Sequence, residues 1–175
     1  MLINLSELLS RNGDTKVFEA NIGFDSFESR VDSYKIIDKS PFSLTVTNLG
    51  NRKITIEGDV RLSMNIPCNR CLEDVRTDIE FSIMKDVDMG ESSDDRIKEL
   101  DEQNYIDGYY LDVDKLVYGE ILLNLPMKVL CREDCKGLCN KCGANLNHGE
   151  CGCDRESLDP RMSVIRDIFN NYKEV

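Results

Sequence analysis

The residues of this chain whose chemistry is most distinctive are its eight cysteines. Two lie close together as Cys68-x2-Cys71, and the others begin sixty residues later, in the order Cys131, Cys135, Cys139, Cys142, Cys151 and Cys153. A C-x2-C turn brings two thiolates close enough to bind one ion at about 2.3 Å per Zn–S bond, and tetrahedral Zn²⁺ takes two such pairs. The spacing therefore predicts metal binding, with zinc as the expected ion.

Eight ligands suit two four-cysteine sites, but the spacing leaves their division open. One division gives two zinc ions, one held by Cys139, Cys142, Cys151 and Cys153 and the other by Cys68, Cys71, Cys131 and Cys135. The second of these sites would tie the upstream turn to the segment that follows a predicted helix. In the other division a single zinc is held by Cys68, Cys71, Cys139 and Cys142, and the remaining cysteines are spare. An iron–sulfur cluster also uses four cysteines and stays an alternative.

The role expected of these thiols is structural rather than catalytic. Four thiolates fill the coordination of zinc and leave no position for a catalytic water. The one histidine, His148, is expected in an exposed turn, and no Ser/His/Asp set is available without it. A thiol redox protein is the less favoured alternative, because a thioredoxin-type C-x2-C lies at a helix N-terminus after a strand. Cys68 instead falls between two predicted strands, so we expect no enzyme.

Composition indicates a reducing compartment. The longest apolar runs contain charges and are shorter than the ~20 residues that a membrane-spanning helix needs. The N-terminus lacks a basic region and reaches Glu7 before an apolar run develops, unlike a signal peptide. We therefore expect a soluble, cytoplasmic protein without membrane contact, in which cysteines are more often metal ligands than disulfides.

The elements that position the first cysteine pair are predicted strands. Three segments rich in β-branched and aromatic residues come first, TKVFEANIGF, SYKIID and PFSLTVTNLG. Two longer segments flank the Cys68 turn and alternate apolar with polar residues. One should bury Ile54, Ile56, Val60, Leu62 and Met64, with Gly58 as a predicted bulge, and the other Val75, Thr77, Ile79, Phe81 and Ile83. We expect them to pair as a hairpin with Cys68 and Cys71 at its tip.

A short strand, YYLDV, and two helices are predicted beyond the hairpin. DVDKLVYGEILLNLP should begin at an Asp112 or Asp114 cap and end before Pro126. SLDPRMSVIRDIFNNYKEV carries an apolar stripe that is expected to pack in the core, made of Met162, Ile165, Ile168, Phe169 and Tyr172. The predicted fold class is α+β, an antiparallel β-rich domain with two or three helices (residues 1–125) and a small C-terminal cysteine-rich zinc module with a helix (residues 126–175).

Charge is distributed unevenly along the chain. The net charge of −11 belongs to the first 125 residues, since residues 126–175 contain eight basic and eight acidic residues. Residues 86–104 are predicted to form an acidic mobile segment, with docking of a basic partner as the alternative. Affinity for phosphate comes largely from Lys and Arg. We therefore expect no DNA binding, and any RNA contact needs a local basic patch.

Several motifs occur together in this chain. They are INLSELL at the N-terminus, PCNRCLED at the centre, YYLDVDKLVYGEILLNLPMKVLC, and CREDCKGLCNKCGANLNHGECGCD followed by LDPRMSVIRDIF. Their joint order, which covers nearly the whole chain, resembles the YceD-like family, the large ribosomal RNA subunit accumulation proteins. The resemblance implies a bacterial, cytoplasmic, non-enzymatic protein that supports accumulation of large-subunit (23S) ribosomal RNA, and hence ribosome biogenesis.

Four cations near the cysteines form a candidate RNA-binding site: Arg70, Arg132, Lys136 and Lys141. If zinc folds these segments together, the cations gather on one face and contact ribosomal RNA phosphates, with Asn69, Asn145 and Asn147 as hydrogen-bonding neighbours. The simpler interpretation is that they offset the formal −2 charge of each four-thiolate zinc site. The competing function is a protein-binding adaptor that docks a ribosomal protein without touching RNA. The expected partner is thus the large-subunit RNA precursor or a ribosomal protein.

Overall fold

The computed structural model of the chain describes residues 1–29, 32–90 and 105–153, together with Ile165 and Ile168. Strand pairing is antiparallel throughout these residues, which agrees with the predicted β-rich α+β class. The elements, in chain order, are β1 (Leu2–Asn4), α1 (Ser6–Leu9), β2 (Thr15–Ala20), β3 (Ser26–Glu28), β4 (Ser33–Lys39), β5 (Phe42–Gly50), β6 (Lys53–Pro67), β7 (Asp74–Asp88), β8 (Ile106–Asp107), β9 (Tyr110–Asp112) and α2 (Val113–Asn124).

The main sheet is organised around the long hairpin of β6 and β7. Each strand has 15 residues, and their register runs without interruption from Lys53 opposite Asp88 to Pro67 opposite Asp74. Along the other edge of β6, β5 pairs with its first half and β4 with its second half. β2 and β3 extend the sheet beyond β5 and β4, respectively. The hairpin tip, which carries Cys68 and Cys71, lies just beyond the last β4–β6 pair, Lys35 opposite Asn65.

One face of this hairpin forms the core, as the alternation predicts. The predicted inward residues of β6 are each 4% exposed or less: Ile54, Ile56, Val60, Leu62 and Met64. On β7 the side chains of Ile79, Phe81 and Ile83 are buried, while Val75 and Thr77 are half-buried towards the tip. Apolar burial at roughly 25 cal/mol per Å² makes this face the main source of the stability of the sheet.

Gly58 is not a bulge, and that prediction is wrong. It pairs with Ile83 within the uninterrupted β6–β7 register and with Leu44 as the last pair of the β5–β6 ladder, whose register shift lies elsewhere, between Asn48 and Gly50. A Cβ at this position would lie 2.7 Å from the carbonyl oxygen of Ser43 and 2.8 Å from Leu44 Cδ2. The residue is glycine because β5 passes too close for a side chain.

Helix α2 covers the sheet and leads the chain to the second cysteine segment. Asp112, one of the two predicted caps, is the N-cap, and its side chain accepts hydrogen bonds from the N–H groups of Asp114 (3.1 Å) and Lys115 (3.4 Å). Glu120 is buried and forms an ion pair of 2.6 Å with Lys85 of β7. Tyr118 stacks on Phe27 with ring centroids 4.8 Å apart. These contacts fix the direction in which residues 125–131 leave the helix.

Some predicted segments fall partly outside the described residues. β7 continues to Asp88, so residues 86–88 of the predicted acidic segment belong to the sheet, and residues 91–104 lie outside the description. The predicted C-terminal helix also lies outside it except for Ile165 and Ile168, which are helical and 46% and 51% exposed. These two members of the stripe are not in the core. The 1–125 and 126–175 boundary stays a prediction.

Candidate metal centres

Four cysteines from two distant segments meet at the tip of the β6–β7 hairpin. This first thiol group consists of Cys68, Cys71, Cys131 and Cys135, whose Sγ atoms all lie within 4.8 Å of one another. The Cys68 and Cys135 sulfurs are 3.8 Å apart, and those of Cys71 and Cys131 are 3.6 Å apart. A tetrahedral ion with four ligands at about 2.3 Å requires sulfur–sulfur distances of roughly 3.8 Å. The group therefore has the dimensions of a four-thiolate metal site.

Hydrogen bonds hold the two segments of the first thiol group together. Asn69 and Val129 exchange bonds, from Asn69 N to the Val129 carbonyl (2.9 Å) and from Val129 N to Asn69 Oδ1 (2.7 Å). The Arg70 guanidinium donates to the carbonyls of Glu133 (3.2 Å) and Cys135 (2.8 Å). The chain after α2 is thereby fixed against the hairpin tip by groups other than the thiols.

The second thiol group is local in sequence. It consists of Cys139, Cys142, Cys151 and Cys153, again with all Sγ atoms within 4.8 Å of one another. A tight turn places the first pair, because Gly143 N donates to the Cys139 carbonyl (2.9 Å) with Gly143 at φ +73°. Only Cys139 of this group is buried, whereas three of the four cysteines of the first group are buried. The second group is therefore the more accessible of the two.

The thiols within each group influence one another's ionisation. At Cys68, burial opposes ionisation, but N–H donors from Cys71, Arg70 and Cys131 outweigh it and lower the pKa to about 6. The N–H groups of Cys142 and Lys141 likewise lower the pKa of Cys139 to about 6. By contrast, hydrogen bonds and charge from Cys142 and Cys151 raise the pKa of Cys153 to about 12. In each group two thiols have a lowered pKa, those of Cys68 and Cys135 in the first and of Cys139 and Cys151 in the second, and a bound cation would favour ionisation of all four.

The structure separates the eight cysteines into the two groups of the first predicted division. Cys68 and Cys71 lie in one group and Cys139 and Cys142 in the other, so the single-zinc division does not match the geometry. The 3.6 and 3.8 Å separations within the first group are much longer than a disulfide bond of about 2.05 Å. The chain thus combines a β-rich fold with two four-thiol groups, one of them at the tip of the central hairpin.

Comparison with family models gives a match over residues 56–169 to YceD, the large ribosomal RNA subunit accumulation protein. This match includes both thiol groups and most of the central hairpin. The chain belongs to the YceD family. No solved structure matches it.

Curated relatives of this YceD family member are distant. A chloroplastic protein of Arabidopsis thaliana, named large ribosomal RNA subunit accumulation protein YCED homolog 1, is 27% identical over 78% of this chain and 51% of its own length. An uncharacterized protein of Mycobacterium tuberculosis is 28% identical over 66% of this chain and 56% of its own length. Bacillus subtilis YlbN, also uncharacterized, is 24% identical over 73% of each chain. The chain thus spans about half the length of the first two.

The four predicted RNA-binding cations of the YceD chain are exposed but have different surroundings. Arg70 bonds to backbone carbonyls, and Arg132 donates to Asn147 Oδ1 (2.8 Å) and lies 3.5 Å from Asp134 Oδ1. For the ammonium groups of Lys136 and Lys141, the described residues show no hydrogen bond or ion pair. Two of the four cations thus already stabilise the fold, and two remain open to a ligand.

The asparagines predicted as RNA neighbours have intramolecular roles. Asn69 Oδ1 accepts from Val129 N, and Asn145 Oδ1 accepts from Asn147 N (2.9 Å). Asn147 accepts from Lys136 N (2.8 Å) and donates to Cys135 Sγ (3.3 Å). These amides therefore organise the loops around the first thiol group, a function that composition alone does not reveal.

His148 lies in an exposed bend, as predicted, and belongs to neither thiol group. Its Nε2 lies 2.6 Å from Glu73 Oε1, and the hydrogen bond to His148 is the main cause that lowers the pKa of Glu73. This contact links the loop before Cys151 to the hairpin tip. Within the described part of the chain, no helix is long and apolar enough to cross a membrane.

Proposed function

We propose that this chain is a non-enzymatic ribosome-biogenesis factor that supports accumulation of large-subunit (23S) ribosomal RNA. The observation that carries the proposal is membership of the YceD family together with two four-thiol groups inside the matched region. A relative from Arabidopsis carries the corresponding name. We further propose that the protein acts in the reducing cytoplasm of a bacterium, where eight unbridged cysteines are suited to bind metal.

The proposed cofactor is zinc, with one ion per thiol group. Four thiolates are the ligand set of structural zinc sites, and they leave no position at which a water could be activated. Within residues 131–153, the buried apolar or thiol side chains are those of Cys135 and Cys139, and Val129 is buried just before this segment. The ions would therefore supply most of the cohesion of residues 131–153. The role of this chain's own residues is to hold the ions and to present the surface around them. We call residues 68–73 and 129–153 the cysteine head.

We propose that the cysteine head is the part that contacts large-subunit precursors. Lys136 and Lys141 are the candidate phosphate contacts, because both are exposed and without a described partner. Each phosphate contact by a lysine adds about one unit to the salt slope of binding. Arg70 is left out of the candidate RNA site, because its Nη1 group donates to the Glu133 and Cys135 carbonyls at the hairpin–loop junction.

A specific observation supports the alternative function of a protein-binding adaptor. With Arg70 and Arg132 engaged within the chain, Lys136 and Lys141 are the two of the four candidate cations without a described partner, in a protein whose net charge is −11. Long-range repulsion between such a chain and RNA is considerable. In the adaptor function, the chain docks a basic ribosomal protein, and RNA accumulation follows indirectly.

Crosslinking in living cells, with RNA and protein partners recovered separately, tests the proposal and separates its two forms. We expect the wild-type protein and the Lys53→Gln variant to recover 23S precursor segments. The Lys136→Gln, Lys141→Gln double variant should lose them. Lys53 is a matched control because it is exposed and lies at the opposite end of the hairpin from the tip. Recovery of a ribosomal protein alone would favour the adaptor, and recovery of neither would contradict both.

A further inference from the structure

The two C-x2-C turns of this chain have the same local structure. In the first, Leu72 N donates to the Cys68 carbonyl (3.0 Å), and in the second Gly143 N donates to the Cys139 carbonyl (2.9 Å). In both turns, the thiol of the first cysteine also accepts hydrogen bonds from the backbone N–H groups two and three residues later. These groups belong to Arg70 and Cys71 in the first turn and to Lys141 and Cys142 in the second, and they lower the pKa of each thiol. Even the intervening residues correspond, since CNRCL matches CNKCG. The two turns can therefore be compared position by position.

The position after the second cysteine is where the two turns differ. Both residues there have a left-handed backbone, with φ +61° at Leu72 and φ +73° at Gly143. Glycine adopts this conformation freely, whereas a side chain with a Cβ is disfavoured in it. Leu72 is therefore an unfavourable residue for the backbone that it occupies, and glycine in the other turn shows what the backbone alone requires.

Within the described residues, packing does not offset this disadvantage. The Leu72 side chain is 65% exposed and does not join the apolar residues Val75, Leu130 and Leu138 that pack around the first thiol group. Residues held in such conformations cluster at functional sites. A leucine that occupies a disfavoured backbone and is solvent-exposed at the tip of a long hairpin, with no packing on the described residues to offset it, is suited to contact with another molecule.

The geometry points to Leu72 as the apolar anchor by which the cysteine head docks on a protein partner, and we infer that the partner surface is an apolar pocket with a basic rim. Leucine has no ring to stack on a base and no polar group to read one. The residues that follow it, Glu73 and Asp74, are exposed carboxylates; Glu73 pairs with His148, and Asp74, for which the described residues show no side-chain partner, would repel phosphate and attract lysine or arginine. An RNA surface fits this combination poorly, and a basic protein fits it well.

The tip that presents Leu72 is held rigid by several contacts. Cys68 N donates to the Glu73 carbonyl (2.8 Å), Arg70 ties the tip to the loop after α2, and Glu73 pairs with His148. An anchor on a preorganised turn loses less conformational entropy on binding than one on a flexible loop. That the partner belongs to large-subunit precursors rests on the function proposed above.

Two substitutions test the role of Leu72. In Leu72→Gly, the turn becomes identical to the second turn at this position, so zinc content should stay the same and the thermal midpoint should not fall. In the Leu72→Asn variant, asparagine also tolerates the left-handed backbone, and its polar side chain replaces the apolar anchor. Met84→Ala is the matched control, because Met84 is 74% exposed on β7 and lies away from the tip.

The probes are purified large-subunit precursor particles and protein-free 23S RNA transcript. We expect both Leu72 variants to bind the particles about tenfold or more weakly, as for a central interface anchor, and to bind the transcript as wild type does. Full particle binding by Leu72→Gly overturns the inference, as does loss of zinc or a lower midpoint in that variant, since Leu72 would then be structural. If wild type binds the particles and both Leu72 variants match it, only the Leu72 inference fails. If wild type does not bind the particles, the proposed function fails as well.

Discussion

The guanidinium of Arg70 donates a 2.8 Å hydrogen bond to the backbone carbonyl of Cys135. This bond joins the tip of the β6–β7 hairpin to the segment that supplies the other half of the first thiol group. It explains how two cysteine pairs separated by sixty residues can be held at a common site. An arginine that charge alone assigns to RNA is in this fold a connection between two parts of the chain.

Arg70→Gln is therefore expected to destabilise the protein more than Lys141→Gln. The two cations occupy the same position in the two C-x2-C turns, but only the Arg70 side chain bonds to carbonyls. Hydrogen bonds from a charged donor contribute about 1.5–3 kcal/mol to the free energy of unfolding. Because Arg70 is exposed, we expect its replacement to lower that free energy by about 1.5 kcal/mol or less. Replacement of a surface lysine that has no partner changes the free energy of unfolding by no more than about 0.5 kcal/mol. Urea unfolding measures both, and equal midpoints would contradict the structural role of Arg70.

Metal analysis combined with native mass should give two zinc ions per chain, falling to one in the Cys139→Ser, Cys142→Ser double variant. The two thiol groups share no ligand, so the loss of one site should leave the other intact. Structural zinc contributes about 10–16 kcal/mol in small peptides, and residues 139–153 have few buried apolar side chains to replace it. Protease should then cleave within residues 139–153 while the sheet stays resistant. One zinc in the wild-type protein would refute two independent zinc sites, and iron in place of zinc would refute the choice of ion.

Two glycine substitutions should have opposite effects on stability. A Cβ at Gly58 would lie 2.7 Å from the Ser43 carbonyl oxygen, so Gly58→Ala is expected to cost about 1–3 kcal/mol through forced separation of β5 and β6. Gly119 lies inside α2 with no atom within 4 Å of its Cβ position, so Gly119→Ala should stabilise the helix by about 0.5–1 kcal/mol. Thermal unfolding of both variants gives the comparison. A stable Gly58→Ala protein would mean that the two strands are further apart than described.

Local pattern was sufficient to predict the central hairpin from the sequence. The inward residues of β6 and β7 recur at every second position over 15 residues, a signal that depends only on the strand itself. The three-residue strands β1 and β3 and the four-residue helix α1 are too short to show such a pattern, so the sequence does not predict them. The incorrect prediction of a bulge at Gly58 has a related reason. Glycine is required there because a neighbouring strand passes close to it, and the sequence of a single segment does not reveal that approach.

For the cysteine head, spacing predicted that metal binds but could not decide how the ligands divide. The proximity of Cys131 and Cys135 to the hairpin tip depends on how α2 lies on the sheet, and this in turn depends on contacts such as the 2.6 Å pair of Lys85 and Glu120. The structural roles of Asn147 and Arg70 were also beyond the sequence, because a polar side chain does not disclose which backbone group it will meet. The φ of +61° at Leu72 is visible only in the fold.

Replacing Lys136 and Lys141 with Gln should weaken binding of 23S transcript and lower its salt slope by about two units, roughly one per phosphate contact. Both ammonium groups are exposed and without a described partner, so stability and zinc content should not change. Titration of the transcript at several salt concentrations provides the measurement, with Lys53→Gln as the control. An unchanged slope in the double variant would remove direct RNA contact through these lysines and leave the adaptor function.

The most direct measurement of the proposed function is the amount of 23S relative to 16S ribosomal RNA in a strain that lacks the natural gene. We predict that the wild-type chain and Lys53→Gln restore the ratio, and that Cys139→Ser, Cys142→Ser does not, although it is present at comparable amounts with its sheet folded. Restoration by the double cysteine variant would contradict the role of the cysteine head, and an unchanged ratio in the deletion strain itself would contradict the proposed function.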